Sequence, residues 1–342
     1  MVKIMKKKLI LAPLQGFTDA TFRQVYPRHF TGFDEAMAPF IATMGQAKLK
    51  PSRIRDVLPE NNPALPVVPQ ILGNVAEDFI FLVRYLADFG YTRVNWNLGC
   101  PHSKITKKMR GSGLLSRPDL IERFLEQVVP AIPCSLSVKV RLGRNNNQEI
   151  FDLLPIFDRY PLDEIIVHPR TGVQLYTGRA DVEAFGRVQT KSHHNLVYNG
   201  DITDKEVFWD LVKRFPEING FMIGRGVLAD PFLPAAIRGE VRDRSMDLAR
   251  IKAFHDDLFT TYDGNLYGPS HIAGRMKGFW SYLAPSFKGG EKNLKQIFKS
   301  KNRDTYLVQT QRFFDQQIPF CPENRDEYSS IRELPKYVCF DT

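Results

Sequence analysis

Long apolar runs are missing from this 342-residue chain. No stretch approaches the roughly 18 consecutive apolar residues that cross a bilayer. The nearest imitation is the N-terminal MVKIMKKKLILAPL, where Lys6, Lys7 and Lys8 precede apolar residues. Pro13 cuts that run short of the roughly 7–15 residues of a secretory h-region, so a first β-strand after a basic start is expected instead. Cysteine is scarce as well. Cys100, Cys134, Cys321 and Cys339 share no CxxC spacing and no His-rich neighbourhood, which argues against a disulfide framework and a structural zinc site. These absences predict a reduced, cytoplasmic protein with no metal and no membrane segment, in which a special cysteine would be a chemical one.

Acidic residues are outnumbered, 38 Asp and Glu against 47 Lys and Arg, for a formal charge of +9 and a pI near 9.3. Many basic proteins never touch nucleic acid, so the distribution matters more than the total. Between Ser270 and Arg312 nine Lys and Arg face two acids, Glu291 and Asp304. Phe279, Trp280, Tyr282, Phe287, Phe298 and Tyr306 are interleaved with them. Alone, the bland reading of such charge is a solvated surface.

Eight short apolar or β-branched runs recur over the first two-thirds of the chain, at 9–14, 33–37, 67–73, 93–99, 136–143, 164–168, 196–200 and 220–224. Amphipathic helical patterns separate most of them: AEDFIFLVRYLADFG at 76–90, PDLIERFLEQVVPAI at 118–132 and TDKEVFWDLVKRF at 203–215. Thr203 with Glu206 three residues on predicts a helix start. Strands alternating with helices imply βαβ units and a parallel sheet. Eight such units predict an α/β fold, a (β/α)8 TIM barrel. The alternative, a doubly wound open sheet, would concentrate its chemistry at one switch point and use a GxGxxG turn, and neither is present. After Pro234 the strand pattern stops, and helices are expected at 246–262, 270–284, 291–299 and 303–316, an all-helical bundle. The domain expectation is therefore a barrel over 1–240, a helical domain over 241–318 and an irregular tail over 319–342.

In a barrel the polar residues at the C-terminal strand ends face the active site. Those ends carry Pro13-Leu14-Gln15, Gln70, Asn97 and Cys100, Lys139 and Arg141, His168 and Arg170, Asn199-Gly200-Asp201, and Gly224-Arg225. The glycine-bearing loops after strands seven and eight sit where barrels commonly bind phosphate, with two tight turns as the plain alternative. Lys139 lies between Val138 and Val140, and a buried unpaired ammonium is costly. An anionic cofactor would relieve it, as would a salt bridge to an acid such as Glu35. Gln70 is equally out of place in an apolar strand, where its amide could meet the polar edge of a planar cofactor. Gly99 and Pro101 flank Cys100 and fix a bend that would present its thiol at the barrel mouth. A thiol of pKa near 8.5 can donate a proton or attack, and the residues alone leave that choice open.

Taken together, these blocks resemble the tRNA-dihydrouridine synthase family. The matching pieces are APLQGFTDATFR (12–23), PQILG (69–73), NWNLGCPHSK with the following GSGLL (95–115), VKVRLG (138–143), VHPRT with YTGRAD (167–181), NGDI (199–202) and MIGRGVLADPFL (222–233). HIAGRMKGFWSYL (271–283) extends the likeness into the helical region, where it is most similar to the bacterial C-type. The resemblance implies NADPH-driven, FMN-mediated reduction of the C5–C6 double bond of a tRNA uridine, with a hydride from flavin N5 to C6 and a proton from Cys100 to C5. It implies FMN binding by Pro13, Leu14, Gln15, Gln70, Lys139, His168, Asn199, Gly200, Asp201, Gly224 and Arg225. It places the substrate against Asn97, Arg141, Arg170, Lys104, Arg275 and Lys277, and by the C-type likeness favours a D-loop position such as U16. Pro169 departs from the family's usual glycine and, by fixing φ, bears on where His168 and Arg170 lie. Leu14 replaces a common Met, a tolerable apolar exchange. Two other functions remain as alternatives: an FMN-dependent small-molecule pyrimidine oxidoreductase, and a non-catalytic tRNA-binding protein. The expected assembly is a monomer.

Overall fold

The structure is a computed structural model that describes residues 6–45, 50–265 and 269–324. Most of the expected tail, from residue 325 on and including Cys339, lies outside the described residues, as does the chain start to residue 5. The chain divides into two compact units. The first comprises Met1–Pro13, Asp34–Asp201 and Asp210–Ile223, the second Leu14–Phe33, Ile202–Trp209 and Gly224–Thr342.

The first unit carries every strand among the described residues: β1 (Lys8–Leu11), β2 (Glu35–Met37), β3 (Ile41–Ala42), β4 (Val67–Val68), β5 (Gln70–Leu72), β6 (Arg93–Leu98), β7 (Ser135–Gly143), β8 (Ile165–Thr171), β9 (Leu196–Tyr198) and β10 (Gly220–Ile223). All pairings are parallel, in the order β3-β5-β6-β7-β8-β9-β10-β1-β2-β4. The ten segments amount to eight strands. Pro69 alone separates β4 from β5, and the stretch between β2 and β3 contains Pro39. Proline has no N–H for the ladder, so each strand is interrupted there while its direction continues. Because β4 pairs with β2 and β5 with β6, the sheet closes on itself as a TIM barrel.

The strand ends differ from the pattern-based expectation in one respect. Residues 12–14, 73, 99, 199–200 and 224, expected within strands, lie beyond the strand ends, and β8 instead runs through Pro169 to Thr171. Helices α1 (Ala76–Ala87), α2 (Pro118–Val128), α3 (Glu149–Phe157) and α4 (Val182–Lys191) connect successive strands from β5 to β9. On α2 the buried residues Ile121, Phe124, Leu125 and Val128 fall at helical spacing, and Phe124 stacks on Trp96 of β6 with ring centroids 4.0 Å apart. Helix α5 (Lys205–Arg214) starts one residue later than Thr203 would set it. Asp204, not Thr203, accepts from Val207 N at 2.7 Å, and the Thr203 hydroxyl supports that carboxylate at 2.8 Å. A carboxylate also suits the positive end of the helix better than a hydroxyl.

Inside the barrel, Ile10, Ala12, Met37, Val68, Ile166, Val197 and Met222 form an apolar layer. Charges lace the strand starts. Glu35 takes Lys8 at 2.8 Å and Arg93 at 2.9 Å, while Arg93 also reaches Asp163 at 2.8 Å and Glu164 at 3.5 Å. Burial pushes the Glu164 carboxyl up, against the pull of Lys8 and Arg93. Glu35 is thus committed at the opposite strand end from Lys139, which removes the salt bridge considered above.

The second unit is helical. Its longer members are Ala20–His29, which the sequence pattern did not mark, and Asp247–Asn265, Pro269–Leu283, Glu291–Lys299 and Arg303–Asp315, these four within a residue or three of the expected spans. Phe22 and Tyr26 pack on Phe254, and Arg28 and His29 both meet Asp257. A second knot joins Trp280, Tyr306, His255, Phe313 and Phe314; the Tyr306 hydroxyl receives Trp280 Nε1 at 2.8 Å and lies 2.6 Å from His255 Nε2. Residues 319–321 return to this unit, with Phe320 bridging Phe287.

Candidate active site at the barrel mouth

Two-residue alternation on β6 turns Asn95 and Asn97 to the same face, away from Trp96 and Leu98. Both amides are buried, and they meet Gln70 from β5. Asn97 Nδ2 donates to Gln70 Oε1 at 2.7 Å, and Gln70 Nε2 donates to Asn95 Oδ1 at 2.7 Å. Asn95 Nδ2 donates to Ser137 Oγ of β7 at 2.9 Å, and that hydroxyl donates to Val94 O at 3.2 Å. Pattern reading missed Asn95 and Ser137, although their alternation with Val94, Trp96 and Val138 marked them as inward polar residues.

Asn97 Oδ1 then receives the backbone N–H groups of Gly99 at 3.1 Å and Cys100 at 2.9 Å. The other side of this bend is held by Ser112, whose N–H donates to Cys100 O at 2.9 Å. Gly111 must be glycine. Its φ is +55°, and a Cβ there would stand 2.7 Å from Cys100 O. Burial pushes the Cys100 thiol up, while the backbone at His102 and the charges of Arg141 and Lys139 act against it. The net direction keeps the thiol protonated at neutral pH, as a proton donor requires.

Lys139 stands across the ladder from Asn97. Among the described residues its ammonium has no hydrogen bond or ion pair. Burial, followed by repulsion from Arg141, lowers its pKa to about 7. The orphaned cation therefore fits an anionic group in the barrel mouth.

Arg141 and Arg170 are each only 2% exposed, and their guanidinium groups are committed to loops. Arg141 donates to Gly99 O, Thr171 O and Leu175 O, and its plane lies 5.1 Å from the Tyr176 ring. Arg170 donates to Gly178 O and to Asp201 Oδ2 and sits 3.0 Å from His168 Nε2. Because a guanidinium only donates, His168 Nε2 accepts and Nδ1 carries the ring hydrogen. Pro169 continues β8 and places His168 and Arg170 side by side. Asp201, at φ +38°, also receives Ala180 N at 2.9 Å, and Asn199 Nδ2 donates to Met222 O at 2.9 Å. The loop pinned by the two arginines exposes Val173, Leu175 and Tyr176, none of which was singled out from sequence.

Pro13 follows β1 in the first unit, and Gly200 lies between Asn199 and Asp201, where a Cβ would press on Ala180 at 3.0 Å. Lys104 is exposed on a single turn (Ser103–Thr106) just past the cysteine, with Lys107 and Lys108 exposed beyond it. The remaining predicted residues, Leu14, Gln15, Gly224, Arg225, Arg275 and Lys277, belong to the second unit. Arg275 donates to Gly16 O and lies over Tyr262, and Lys277 donates to Ser300 O at 2.7 Å. Leu14 O receives Phe17 and Thr18 N–H, and Gln15 is exposed. Gly224 precedes the short helix Arg225–Ala229.

The profile described as Dihydrouridine synthase (Dus) matches residues 10–263. A probable tRNA-dihydrouridine synthase of Rhodobacter capsulatus is 30% identical, over 67% of this chain and 70% of that protein. A tRNA-dihydrouridine synthase B of Pasteurella multocida is 28% identical over 67% and 68%, and a probable synthase of Staphylococcus aureus is 31% identical over 74% and 78%. Among solved structures, histamine dehydrogenase from Rhizobium sp. 4-9 superposes with a TM-score of 0.51 at 11% identity, covering 81% of this chain and 50% of that one. Morphinone reductase gives 0.51 at 12%, covering 69% and 87%. Those two likenesses speak for the fold; the profile and the relatives speak for the family. On that ground the chain belongs to the dihydrouridine synthase family.

Proposed function

We propose that this protein is an FMN-dependent tRNA-dihydrouridine synthase in which Cys100 is the proton donor. The observation that carries the reading is the pairing of an orphaned, pKa-lowered Lys139, level with Asn97 on the neighbouring strand, with a thiol whose pKa is raised just past the end of that strand. FMN, reduced by NADPH, would supply the hydride that reaches C6 of the uracil. Lys139 would face the anionic edge of that cofactor. Gln70, His168, Asn199, Gly200, Asp201 and Pro13 would complete its binding in the first unit. Cys100 gives its proton to C5, so one hydride and one proton add across the double bond and the thiolate is left to recover a proton from solvent. Asn97 holds the cysteine bend, and Arg141 and Arg170 keep the loops around it closed to water.

A uracil stacked inside tRNA cannot enter a barrel mouth, so the base must be flipped out at a cost of a few kcal/mol. Phosphate contacts offset that cost. Lys104, Lys107 and Lys108 supply such contacts beside the cysteine. Lys292, Lys295 and Lys299 on Glu291–Lys299 supply them in the second unit, with Arg275 and Lys277 stiffening its helices. The target is a D-loop uridine.

The purified protein is expected to be yellow and to form dihydrouridine in tRNA from a strain lacking the modification, with free uracil and dihydroorotate unreactive. Turnover of the free bases instead of tRNA would overturn the substrate. The Cys100→Ala variant should keep its flavin spectrum while dihydrouridine formation falls about 10²–10⁴-fold, the usual worth of a positioned acid. Normal turnover in that variant would remove the thiol from the chemistry.

A further inference from the structure

Four side chains inside the barrel join the cysteine bend to a point deep in the sheet, and two of them touch neither the thiol nor the mouth. We propose that Asn95 and Ser137 are positioning residues: they set the direction of an amide relay that orients Gln70 and Asn97 and thereby fixes Cys100 as the acid. The inference rests on the reading of Cys100 given above.

An amide side chain can bond either way round, so a row of amides has no intrinsic direction. Here both ends impose one. The N–H groups of Gly99 and Cys100 can only donate, so Asn97 must turn its oxygen to them. At the far end Val94 O can only accept, so the Ser137 hydroxyl must donate there and receive Asn95 with its lone pair. Every bond between then runs in one direction: Asn97 into Gln70, Gln70 into Asn95, Asn95 into Ser137. Met37 supports the sense independently, since its sulfur is an acceptor and lies 3.2 Å from Gln70 Nε2. Asn95 is 0% exposed and Ser137 2%, so water cannot replace a missing partner, and a reversed amide would set two N–H groups against each other.

Removing the Ser137 hydroxyl deletes the deep terminus. Asn95 Nδ2 then loses its buried acceptor, and the slack passes through Gln70 to Asn97, whose oxygen still faces the Cys100 amide but is held there less firmly. The bend loosens, and the thiol, whose pKa is raised mainly by burial, gains access to water. A role confined to packing would lower thermal stability without changing the reactivity of one sulfur.

The test uses the purified holoenzyme and its Ser137→Ala and Asn95→Leu variants, with Asn95→Asp as the conservative control. Aspartate can still accept from Gln70, and it keeps a bond to Ser137 once that single hydroxyl hydrogen turns from Val94 O to the second carboxylate oxygen. Iodoacetamide labelling of the Cys100 peptide is followed by mass spectrometry against pH, beside kcat and KM for tRNA. In Ser137→Ala and Asn95→Leu, labelling at neutral pH should accelerate several-fold. Its midpoint should move down toward the ordinary thiol value of about 8.5, and kcat should fall roughly tenfold, within the range a misplaced acid forfeits. KM should stay near wild type, flavin content should drop at most modestly because Gln70 is one of several cofactor contacts, and Asn95→Asp should lie closer to wild type than Asn95→Leu. A folded Ser137→Ala protein with a wild-type labelling profile and kcat would overturn the relay. The labelling arm reads the sulfur directly, so it decides this question even if wild-type enzyme fails to reduce uridine, an outcome that would instead sink the function.

Discussion

Lys139 and Cys100 are opposite solutions to the same environment. Burial works against charge on both, lowering the ammonium to about 7 and raising the thiol. For the lysine the linkage is direct: its folded-state pKa lies below the unfolded value of 10.5, so the unfolded chain binds more protons between about pH 7 and pH 10.5. The cost of burying the charge is complete below pH 7 and fades as the pH rises through that window. Flavin-free Lys139→Met should therefore melt roughly 2–4 °C higher than wild type at pH 6–7, with the gap closing toward pH 10.5 in calorimetry, while its flavin affinity drops. A lower melting point for the variant at pH 6–7 would mean that the ammonium has a protein partner after all. Sequence showed Lys139 and Cys100 because a charged or reactive residue between apolar neighbours stands out. It could not show that the charges of Arg141 and Arg170 turn back into loop carbonyls, since side-chain direction at a strand end depends on loops that pattern does not fix.

Elements were legible where period and punctuation agreed. The apolar face of α2 and the run of β7 both follow from spacing alone. The strands interrupted at Pro39 and Pro69 were harder, because a missing N–H breaks the hydrogen-bond ladder without redirecting the chain. The bend at Cys100 likewise depends on a glycine far along the loop. Gly111→Ala puts a Cβ into a position of positive φ and against Cys100 O. That variant should bind flavin normally yet lose at least about tenfold in turnover, comparable to displacing a catalytic group by 1 Å. Full activity with intact flavin would show that the GSG turn does not set the bend.

At the scale of the whole molecule, family membership was readable from motifs spread over nearly the entire chain, whereas the two-unit division was not. The second unit takes in 14–33 and 202–209, segments far from its helices in sequence. Its Glu291–Lys299 helix presents Lys292, Lys295 and Lys299 to solvent opposite the buried Ile297. Replacing Lys292 and Lys295 by Glu should weaken tRNA binding and flatten its salt dependence, by a slope of about 0.7–0.9 for each phosphate no longer neutralised. An unchanged slope in filter binding would move the RNA path elsewhere.

The proline interruptions have a mechanical side. Between β6 and β7 six consecutive residue pairs hold the wall, from Arg93 with Ser135 to Leu98 with Val140. Around the second and third of the eight strands no run exceeds two pairs, whether to β1, across the proline gap or to β6, as thin as the joint of β9 with β10. This is a seam, and a cylinder under strain parts along its seam. In native-state hydrogen exchange, amides such as Ala38 and Thr43 should trade their protons well before Trp96 or Val138, so that sub-global opening starts beside Gln70 and exposes the relay before the rest of the barrel lets go.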